Sequence, residues 1–259
     1  MSESTFVWFD LMTTDVEAAK AFYSDVVGWT VQSFGADASR EKPYDMFVGS
    51  RGPMGGCMDM PDEPKALGVP PHWLAYIHVP DIEGSLVRVA ELGGQLMGRF
   101  AVDGVGQMAI IRDPANAVVC LMQPTDPDGA PGHAGRPQAG EVSWSELTAD
   151  DLDTAWAFYS ALLGWEVRSE MEMGPMGTYR MYGPSGCDAV LGGMMTKPPQ
   201  APVASWLYYV NVVDLDGALE RVKSGGGSII NGPMEVPGGD RVAVCMDPQG
   251  AAFALHTFA

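Results

Sequence analysis

Hydrophobic and polar positions follow two different periods along the first third of the chain. Residues 6–12 form a short aromatic and β-branched run, which is typical of a strand. Apolar residues then recur at helical spacing over positions 16–26, between Asp15 and Gly28. Asp is a preferred residue just before a helix, and Gly is preferred just after one. The pattern therefore predicts a strand followed by a helix that ends at Gly28.

The same alternation continues to about residue 123. Strand candidates at 31–34, 44–49 and 55–60 follow the first helix and complete a β-α-β-β-β order. A second such module begins with a strand at 73–79 and a helix that starts after Asp81 and stops at Gly93-Gly94. Its remaining strands are predicted at 95–100, 107–111 and 118–123. The first half of the chain therefore predicts two modules of the same kind.

The second half of the chain repeats the first. The stretch "FDLMTTDVEAAKAFYSDVVGW" from Phe9 aligns with "SELTADDLDTAWAFYSALLGW" from Ser145, and the "RDPANAVVCLMQP" and "MDPQGAAFALHTF" stretches also correspond. Between the copies, the segment "PTDPDGAPGHAGRPQAGE" is rich in Pro and Gly and lacks apolar periodicity, as linkers do. We predict one domain over residues 1–124, a linker over 125–140 and a second domain over 141–259, with the boundary near residue 132.

Charge and composition narrow the range of partners. The chain has 259 residues, and 15 Lys and Arg against 33 Asp and Glu give a net charge of −18. Such a field repels nucleic acid and anionic membranes, so we expect neither as a partner. There is no apolar run of roughly 18 residues and no leader-like N-terminus, which favours a cytoplasmic location. The four cysteines show no C-x-x-C spacing and are expected to be reduced and buried.

Several ordered motifs resemble those of a known family. They are "D-x-x-x-A-x-x-F-Y-x-x-x-x-G-W" at 15–29 and 151–165, a "V-x-D" before each second helix, and a "D-P" turn at Asp113 and Asp247. In this order, twice over, they resemble the vicinal oxygen chelate superfamily, which includes glyoxalase I, bleomycin-resistance proteins and extradiol dioxygenases. The tandem arrangement is most similar to proteins described as glyoxalase-like or 27 kDa antigens. The resemblance implies an α+β fold, with four βαβββ modules paired into two glyoxalase-like domains with curved mixed sheets.

The same resemblance implies where a divalent metal would bind. The family's ligand positions fall on Trp8, Ala75 and Cys120 in the first half and on Trp144, Tyr208 and Ala254 in the second. A further position falls within 55–58 and 192–195, where there is no His or carboxylate. Only Cys120 and Tyr208 in this set have side chains that could bind a metal. We therefore expect no cofactor, with a divalent metal at another position as the alternative.

The candidate ligand-binding residues are aromatic and acidic. Trp8 and Asp10 lie two apart in a predicted strand and share one face, as do Trp144 and Glu146. Trp206 and Tyr208 on a later strand are expected to face the same interior as Trp144. Ordinary packing of these residues inside the fold is the alternative interpretation.

His256 is the histidine with the most promising position. It lies two residues beyond Ala254, and a pair formed by Glu146 and His256 would serve as a general acid and base or as two ligands of a displaced metal site. A buried ion pair without function is the alternative.

Two hypotheses of function remain. One is a protein that binds a small hydrophobic or planar molecule without the usual metal, with the second domain as the favoured site. The other is a glyoxalase, isomerase or dioxygenase-type enzyme with a displaced site in the second domain. The sequence leaves the ligand and the oligomeric state open.

Overall fold

The first half of the chain forms one sheet of eight strands. The structure is a computed structural model that describes residues 4–34, 44–126 and 135–259. The strands are β1 Phe6–Thr13, β2 Thr30–Phe34, β3 Tyr44–Gly49, β4 Gly52–Asp59, β5 His72–His78, β6 Gln95–Val102, β7 Gly106–Arg112 and β8 Val118–Pro124. Their order in the sheet is β2-β3-β4-β1-β5-β8-β7-β6.

The second half repeats this sheet strand by strand. Its members are β9 Val142–Ala149, β10 Trp165–Glu172, β11 Thr178–Pro184, β12 Gly192–Thr196, β13 Ser205–Asn211, β14 Ser228–Glu235, β15 Arg241–Met246 and β16 Ala252–Thr257. Their order is β10-β11-β12-β9-β13-β16-β15-β14. In both sheets the first and fourth strands of each module pair in parallel, while the hairpins are antiparallel. This confirms the predicted α+β fold of four βαβββ modules.

Four of the five α-helices of the described residues begin and end where the sequence predicts. They are α1 Val16–Val27, α2 Asp62–Ala66, α3 Ile82–Glu91, α4 Leu152–Leu163 and α5 Leu215–Ser224. The carboxylates of Asp15, Asp81, Asp151 and Asp214 each accept a hydrogen bond from a backbone N–H in the first turn of the helix that follows. The short α2 was not predicted, because it buries no residue and so has no apolar period. Within the described residues, no helix is long and apolar enough to span a membrane.

The chain divides into two compact units that each combine modules from both halves. The first compact unit contains residues 4–7, 75–126 and 144–207, and the second contains residues 8–74, 135–143 and 208–259. Each unit therefore joins a module of one half to a module of the other. The predicted domain boundaries follow the two sheets, and they stay a prediction.

In the second compact unit, two residues of the repeated motif make hydrogen bonds that connect distant parts of the sequence. The hydroxyl of Tyr23 on α1 donates to Asp247 at 3.1 Å and accepts from the indole N–H of Trp73 at 3.0 Å. Trp29, the last residue of the motif, donates its indole N–H to the carbonyl of Gly140 at 2.7 Å. Both Tyr23 and Trp29 thus contact residues of the other half of the sequence.

The first compact unit has the matching arrangement. Tyr159 on α4 hydrogen bonds to Asp113 and accepts from the indole of Trp206 at 3.3 Å. Trp165 donates to the carbonyl of Ser4 at 2.7 Å. Each copy of the motif therefore contacts residues of the other half of the sequence. The two compact units contain the same kind of contact, once for each copy.

Candidate functional site

Trp8 and Asp10 of β1 form a hydrogen-bonded cluster with a tyrosine of β3. The indole N–H of Trp8 donates to Asp10 Oδ1 at 2.8 Å and to Tyr44 Oη at 2.7 Å. Tyr44 in turn donates its hydroxyl proton to Asp10 Oδ1 at 2.6 Å. Asp10 is buried, while Trp8 and Tyr44 are half-buried. The predicted shared face of Trp8 and Asp10 is therefore confirmed, and these three residues are named the Asp10 cluster.

An equivalent cluster lies in the first compact unit. The indole N–H of Trp144 on β9 donates to Tyr179 Oη at 2.8 Å, and Tyr179 on β11 donates to Glu146 Oε2 at 2.8 Å. All three side chains are half-buried. This Glu146 cluster repeats the tryptophan, tyrosine and carboxylate of the Asp10 cluster, with one additional methylene in the acid.

A glycine on the neighbouring parallel strand makes room for each tyrosine. Gly56 of β4 lies opposite Asp10, and Gly193 of β12 lies opposite Glu146. A Cβ at Gly56 would lie 2.1 Å from Tyr44 Oη, and one at Gly193 would lie 2.2 Å from the ring of Tyr179. Each cluster therefore requires a residue without a side chain beneath its tyrosine.

These contacts determine what the clusters can do chemically. An indole nitrogen offers only a proton, and a tyrosine hydroxyl has one proton, which each cluster directs to its carboxylate. Each cluster therefore combines two aromatic rings with a carboxylate that accepts hydrogen bonds. Within the described residues, no group of three or more His, Cys, Asp or Glu is arranged to hold a metal ion.

Trp206 and Tyr208 lie in packed aromatic cores. Trp206 is buried in the first compact unit, where its indole donates to Tyr159 and its ring contacts Phe6 edge-on at 5.5 Å. Tyr208 is buried in the second compact unit, 5.2 Å from the ring of Phe9. Beside it is an apolar cavity of about 10 Å³, which is room for roughly one water molecule. Their predicted role as ligand contacts stays a prediction.

The strand register corrects the predicted facing of Tyr208. Within the parallel pair of β13 and β16, Ala254 lies beside Tyr209 and His256 lies beside Asn211. Neighbours in register share a face, and successive residues alternate, so Tyr208 points to the opposite face from Ala254 and His256. The prediction that Tyr208 and His256 face one interior is therefore wrong, because counting back from a helix cap does not fix the face of a strand.

His256 lies in a polar network of its own. Its Nδ1 is 2.7 Å from Ser143 Oγ, and its Nε2 is 3.1 Å from Asp240 Oδ2. Burial lowers the pKa of His256, and the hydrogen bond to Asp240 opposes that shift. Glu146 belongs to the other compact unit, where Tyr179 donates to it. A functional pair of Glu146 and His256 stays a prediction.

The remaining residues at the family's ligand positions are buried. Ala75, Cys120 and Ala254 have no solvent exposure. Two of the other cysteines, Cys57 and Cys245, are also buried, and burial raises the pKa of each to about 12. Cys187 is exposed, which corrects the expectation that all four thiols are buried.

Tyr44 and Tyr179 are site residues that the sequence reasoning missed. Each follows a break in the repeat, where the two copies differ in length. A signal was nevertheless present, because "YDM" at 44–46 and "YRM" at 179–181 each precede a Gly-Gly pair, at 55–56 and at 192–193. A comparison of the polar residues that both copies share would therefore identify these two tyrosines.

The paired sheets of βαβββ modules define a protein of the glyoxalase type, and comparisons of sequence show its family. A profile of the Glyoxalase/Bleomycin resistance protein/Dioxygenase superfamily matches residues 141–255. A profile described as bleomycin resistance protein-like N-terminal matches residues 5–37. The chain belongs to the Glyoxalase/Bleomycin resistance protein/Dioxygenase superfamily.

Full-length relatives support this assignment. CFP32 of Mycobacterium tuberculosis (strain CDC 1551 / Oshkosh), which is named a glyoxylase, is 35% identical over 257 residues, covering 96% of this chain and 92% of the relative. The anthracycline biosynthesis protein DnrV of Streptomyces peucetius is 31% identical, with 96% and 91% covered.

Among solved structures, the Mn(II)-bound glyoxalase from Novosphingobium aromaticivorans has a TM-score of 0.65 at 15% identity, covering 99% of this chain and 83% of that one. The 2,3-dioxygenase LapB from Pseudomonas sp. KL28 has a TM-score of 0.63 at 12% identity, covering 98% and 91%. At these identities the likeness concerns the fold.

Proposed function

We propose that the protein binds a small planar, largely hydrophobic molecule, without a divalent ion at the family's usual position. One observation carries the proposal. Trp8 and Trp144 stand where the family resemblance places a metal ligand, and their indole N–H groups donate hydrogen bonds within the Asp10 and Glu146 clusters.

The residues present do not fit the usual metal. An indole nitrogen has no lone pair to give, and the stretches 55–58 and 192–195, where the resemblance places a further ligand, contain no His or carboxylate. Each tyrosine occupies the space above its glycine, and a carboxylate is the remaining anionic donor of each cluster. A single carboxylate is a poor basis for a tight divalent site, which takes three or more protein ligands.

The clusters suit a flat ligand with hydrogen-bond donors. Indole and phenol rings offer faces on which planar rings stack, while Asp10 or Glu146 accepts from a hydroxyl or amino group. The net charge of −18 favours a neutral or cationic ligand over an anionic one. The relative named for anthracycline biosynthesis supports this class, because anthracyclines contain fused planar rings.

The net charge also supports a proposal about the location and the partners of the protein. We propose a cytoplasmic protein whose partner is a small molecule, since a net charge of −18 opposes binding to nucleic acid or to anionic membranes.

A fluorescence titration with variants that each lack one tryptophan tests the proposal. Planar heteroaromatic compounds are titrated into wild type, Trp8→Phe and Trp144→Phe, with Trp156→Phe on α4 as the control. The second domain, which contains Trp144, is the favoured site. Loss of an aromatic contact in Trp144→Phe is therefore expected to weaken binding about two- to tenfold, while Trp156→Phe should bind as wild type does. An effect confined to Trp8→Phe would move the site to the Asp10 cluster, and an affinity unchanged in both would contradict the proposal.

A glyoxalase-type enzyme is the second candidate, because a full-length relative is named a glyoxylase. In that case Glu146 would act as the proton-transferring group, since it is the carboxylate of the cluster in the second domain, which is the favoured site. An assay of α-oxoaldehyde hemithioacetal turnover with wild type and Glu146→Gln separates the two candidates. Turnover that is lost in Glu146→Gln, while planar-ligand binding is retained, would favour the enzyme.

A further inference from the structure

Ser143, His256 and Asp240 form a linear chain of hydrogen bonds in the second compact unit. Ser143 Oγ lies 2.7 Å from His256 Nδ1, and His256 Nε2 lies 3.1 Å from Asp240 Oδ2. The three residues come from β9, from β16 and from the turn before β15. The His256 side chain is 8% exposed and that of Asp240 is 29% exposed, while Ser143 is half-buried. The serine and acid at the two ends are thus more accessible than the base between them.

The positions of the protons follow from the partners. A carboxylate can only accept, so the contact with Asp240 places the proton of a neutral imidazole on Nε2. Nδ1 then carries the lone pair and accepts from Ser143 Oγ. The competing acceptor for that hydroxyl is the carbonyl of Tyr209, which is more distant at 3.1 Å. Ser143 is therefore a hydroxyl aligned on an oriented base, which is the arrangement that activates serine nucleophiles.

Neighbouring groups hold the acid and the ring in place. The backbone N–H of Ala259 donates to Asp240 Oδ1 at 2.9 Å. The ring of Phe258 contacts His256 edge-on at 4.5 Å, and the guanidinium of Arg136 lies 3.9 Å above that phenyl ring. Burial, aided by the positive charge of Arg136, lowers the pKa of His256, so the imidazole is neutral at pH 7 and able to accept a proton.

The fold does not require this network. The equivalent positions in the first half of the chain are Val7 for Ser143 and Met122 for His256, and the same eight-stranded sheet forms there. Beside His256 on β13, the buried Oδ1 of Asn211 has no hydrogen-bond partner among the described residues. A buried acceptor without a partner needs a donor from water or from a bound molecule. In the second half, Ser143 and His256 thus replace two apolar residues of the first half.

We propose that Ser143 is a nucleophile for acyl transfer from small esters, with His256 as its general base and Asp240 as the positioning residue. Ser143 Oγ bonds to the ester carbonyl carbon while its proton passes to His256 Nδ1. The carbon–oxygen bond to the alcohol breaks, and the departing alcohol takes that proton. Water then attacks the acyl-serine and gives a proton to His256, which returns it to Ser143 as the carboxylic acid leaves.

A fluorophosphonate probe tests this site directly, because it forms a bond to an activated serine oxygen and releases fluoride. Wild type is treated with the probe and the adduct is located by peptide mass spectrometry, with heat-denatured protein as the reference. Ser160→Ala on α4 is the matched control, since the Ser160 hydroxyl donates to the backbone carbonyls of Trp156 and Ala157 within its own helix. The test needs no planar ligand, so its result is independent of the proposed function.

The variants distinguish activation from simple exposure. We expect one adduct, on Ser143, in native wild type and in Ser160→Ala, and none in Ser143→Ala. The labelling rate should fall roughly 100-fold in His256→Ala, with recovery on addition of imidazole, and at least roughly tenfold in Asp240→Asn. If His256→Ala does not fold, His256→Gln replaces it. No adduct on Ser143, or a rate that is unchanged in both the His256 and Asp240 variants, would overturn the proposal.

Discussion

The hydroxyl of Tyr23 donates to the carboxylate of Asp247, 224 residues further along the chain, at 3.1 Å. Tyr23 belongs to the repeated motif of the first half, and Asp247 belongs to the Asp-Pro turn of the second half. Tyr159 and Asp113 form the reciprocal contact in the other compact unit. The two most recognisable motifs of the sequence are therefore hydrogen-bonded to each other in both compact units.

Loss of the Tyr23 hydroxyl should be costly. In Tyr23→Phe the buried Asp247 carboxylate loses a donor and the Trp73 indole N–H loses its acceptor. We expect the free energy of unfolding in urea to fall by about 1–3 kcal/mol, because buried polar groups are left without partners. Tyr159→Phe should show a similar loss in the other unit.

A double-mutant cycle separates this interaction from general packing effects. With Tyr23→Phe, Asp247→Asn and the double variant, the loss in the double variant should be smaller than the sum of the two single losses. Losses that add would mean that the two side chains do not interact in solution.

The sequence predicts the elements of this fold because their signals are local. The helix caps at Asp15 and Asp151 and the stops at Gly28 and Gly164 depend on neighbouring residues alone, and the structure has them where they were predicted. The reciprocal contacts of Tyr23 and Tyr159 were not predicted. They depend on residues more than 40 positions away, and apolar periodicity does not report such contacts.

A methyl group at Gly56 should disrupt the Asp10 cluster. In Gly56→Ala the new Cβ would lie 2.1 Å from Tyr44 Oη and 2.5 Å from Asp10 Oδ1, so the tyrosine must move. We expect a loss of about 1–3 kcal/mol in the free energy of unfolding and a change in the fluorescence of Trp8, whose N–H contacts Tyr44.

Gly98→Ala is the matched control for this substitution. Gly98 also lies in a strand, and a Cβ there would meet no atom within 4 Å. Equal losses in the two variants would show that alanine in a strand, and not the contact with Tyr44, is responsible.

The candidate site was only partly predictable from the sequence. Alternation along β1 places Trp8 and Asp10 on one face, and their hydrogen bond confirms it. Tyr44 joins them only because Gly56 leaves space, which is a property of a neighbouring strand. The facing of Tyr208 was wrong because it depends on the register of β13 against β16, and no residue in the sequence marks that register.

His256 should titrate at a lower pH than a free histidine. Burial lowers the pKa of His256, so between that pKa and about 6.5 the unfolded chain binds more protons than the folded one. The stability that His256 contributes is therefore complete above about pH 6.5 and is lost as the pH falls through its folded pKa. NMR titration of the imidazole should give a midpoint below that of a model histidine.

Asp240→Asn provides the control for this titration. Asp240 raises the pKa of His256, so its loss should move the midpoint still lower. A midpoint at or above 6.5 in wild type, or an upward shift in Asp240→Asn, would contradict the described environment of the ring.

Calorimetric titration of the chelator-treated protein with a planar heteroaromatic compound tests the central claim most directly. The proposed function is binding of a planar molecule without the family's usual metal, at clusters that combine aromatic rings with a carboxylate acceptor. The account predicts saturable binding whose affinity is the same with and without chelator, and no stoichiometric metal in the protein before treatment. Binding that is lost on chelation and restored by added manganese, zinc, nickel or iron would contradict it.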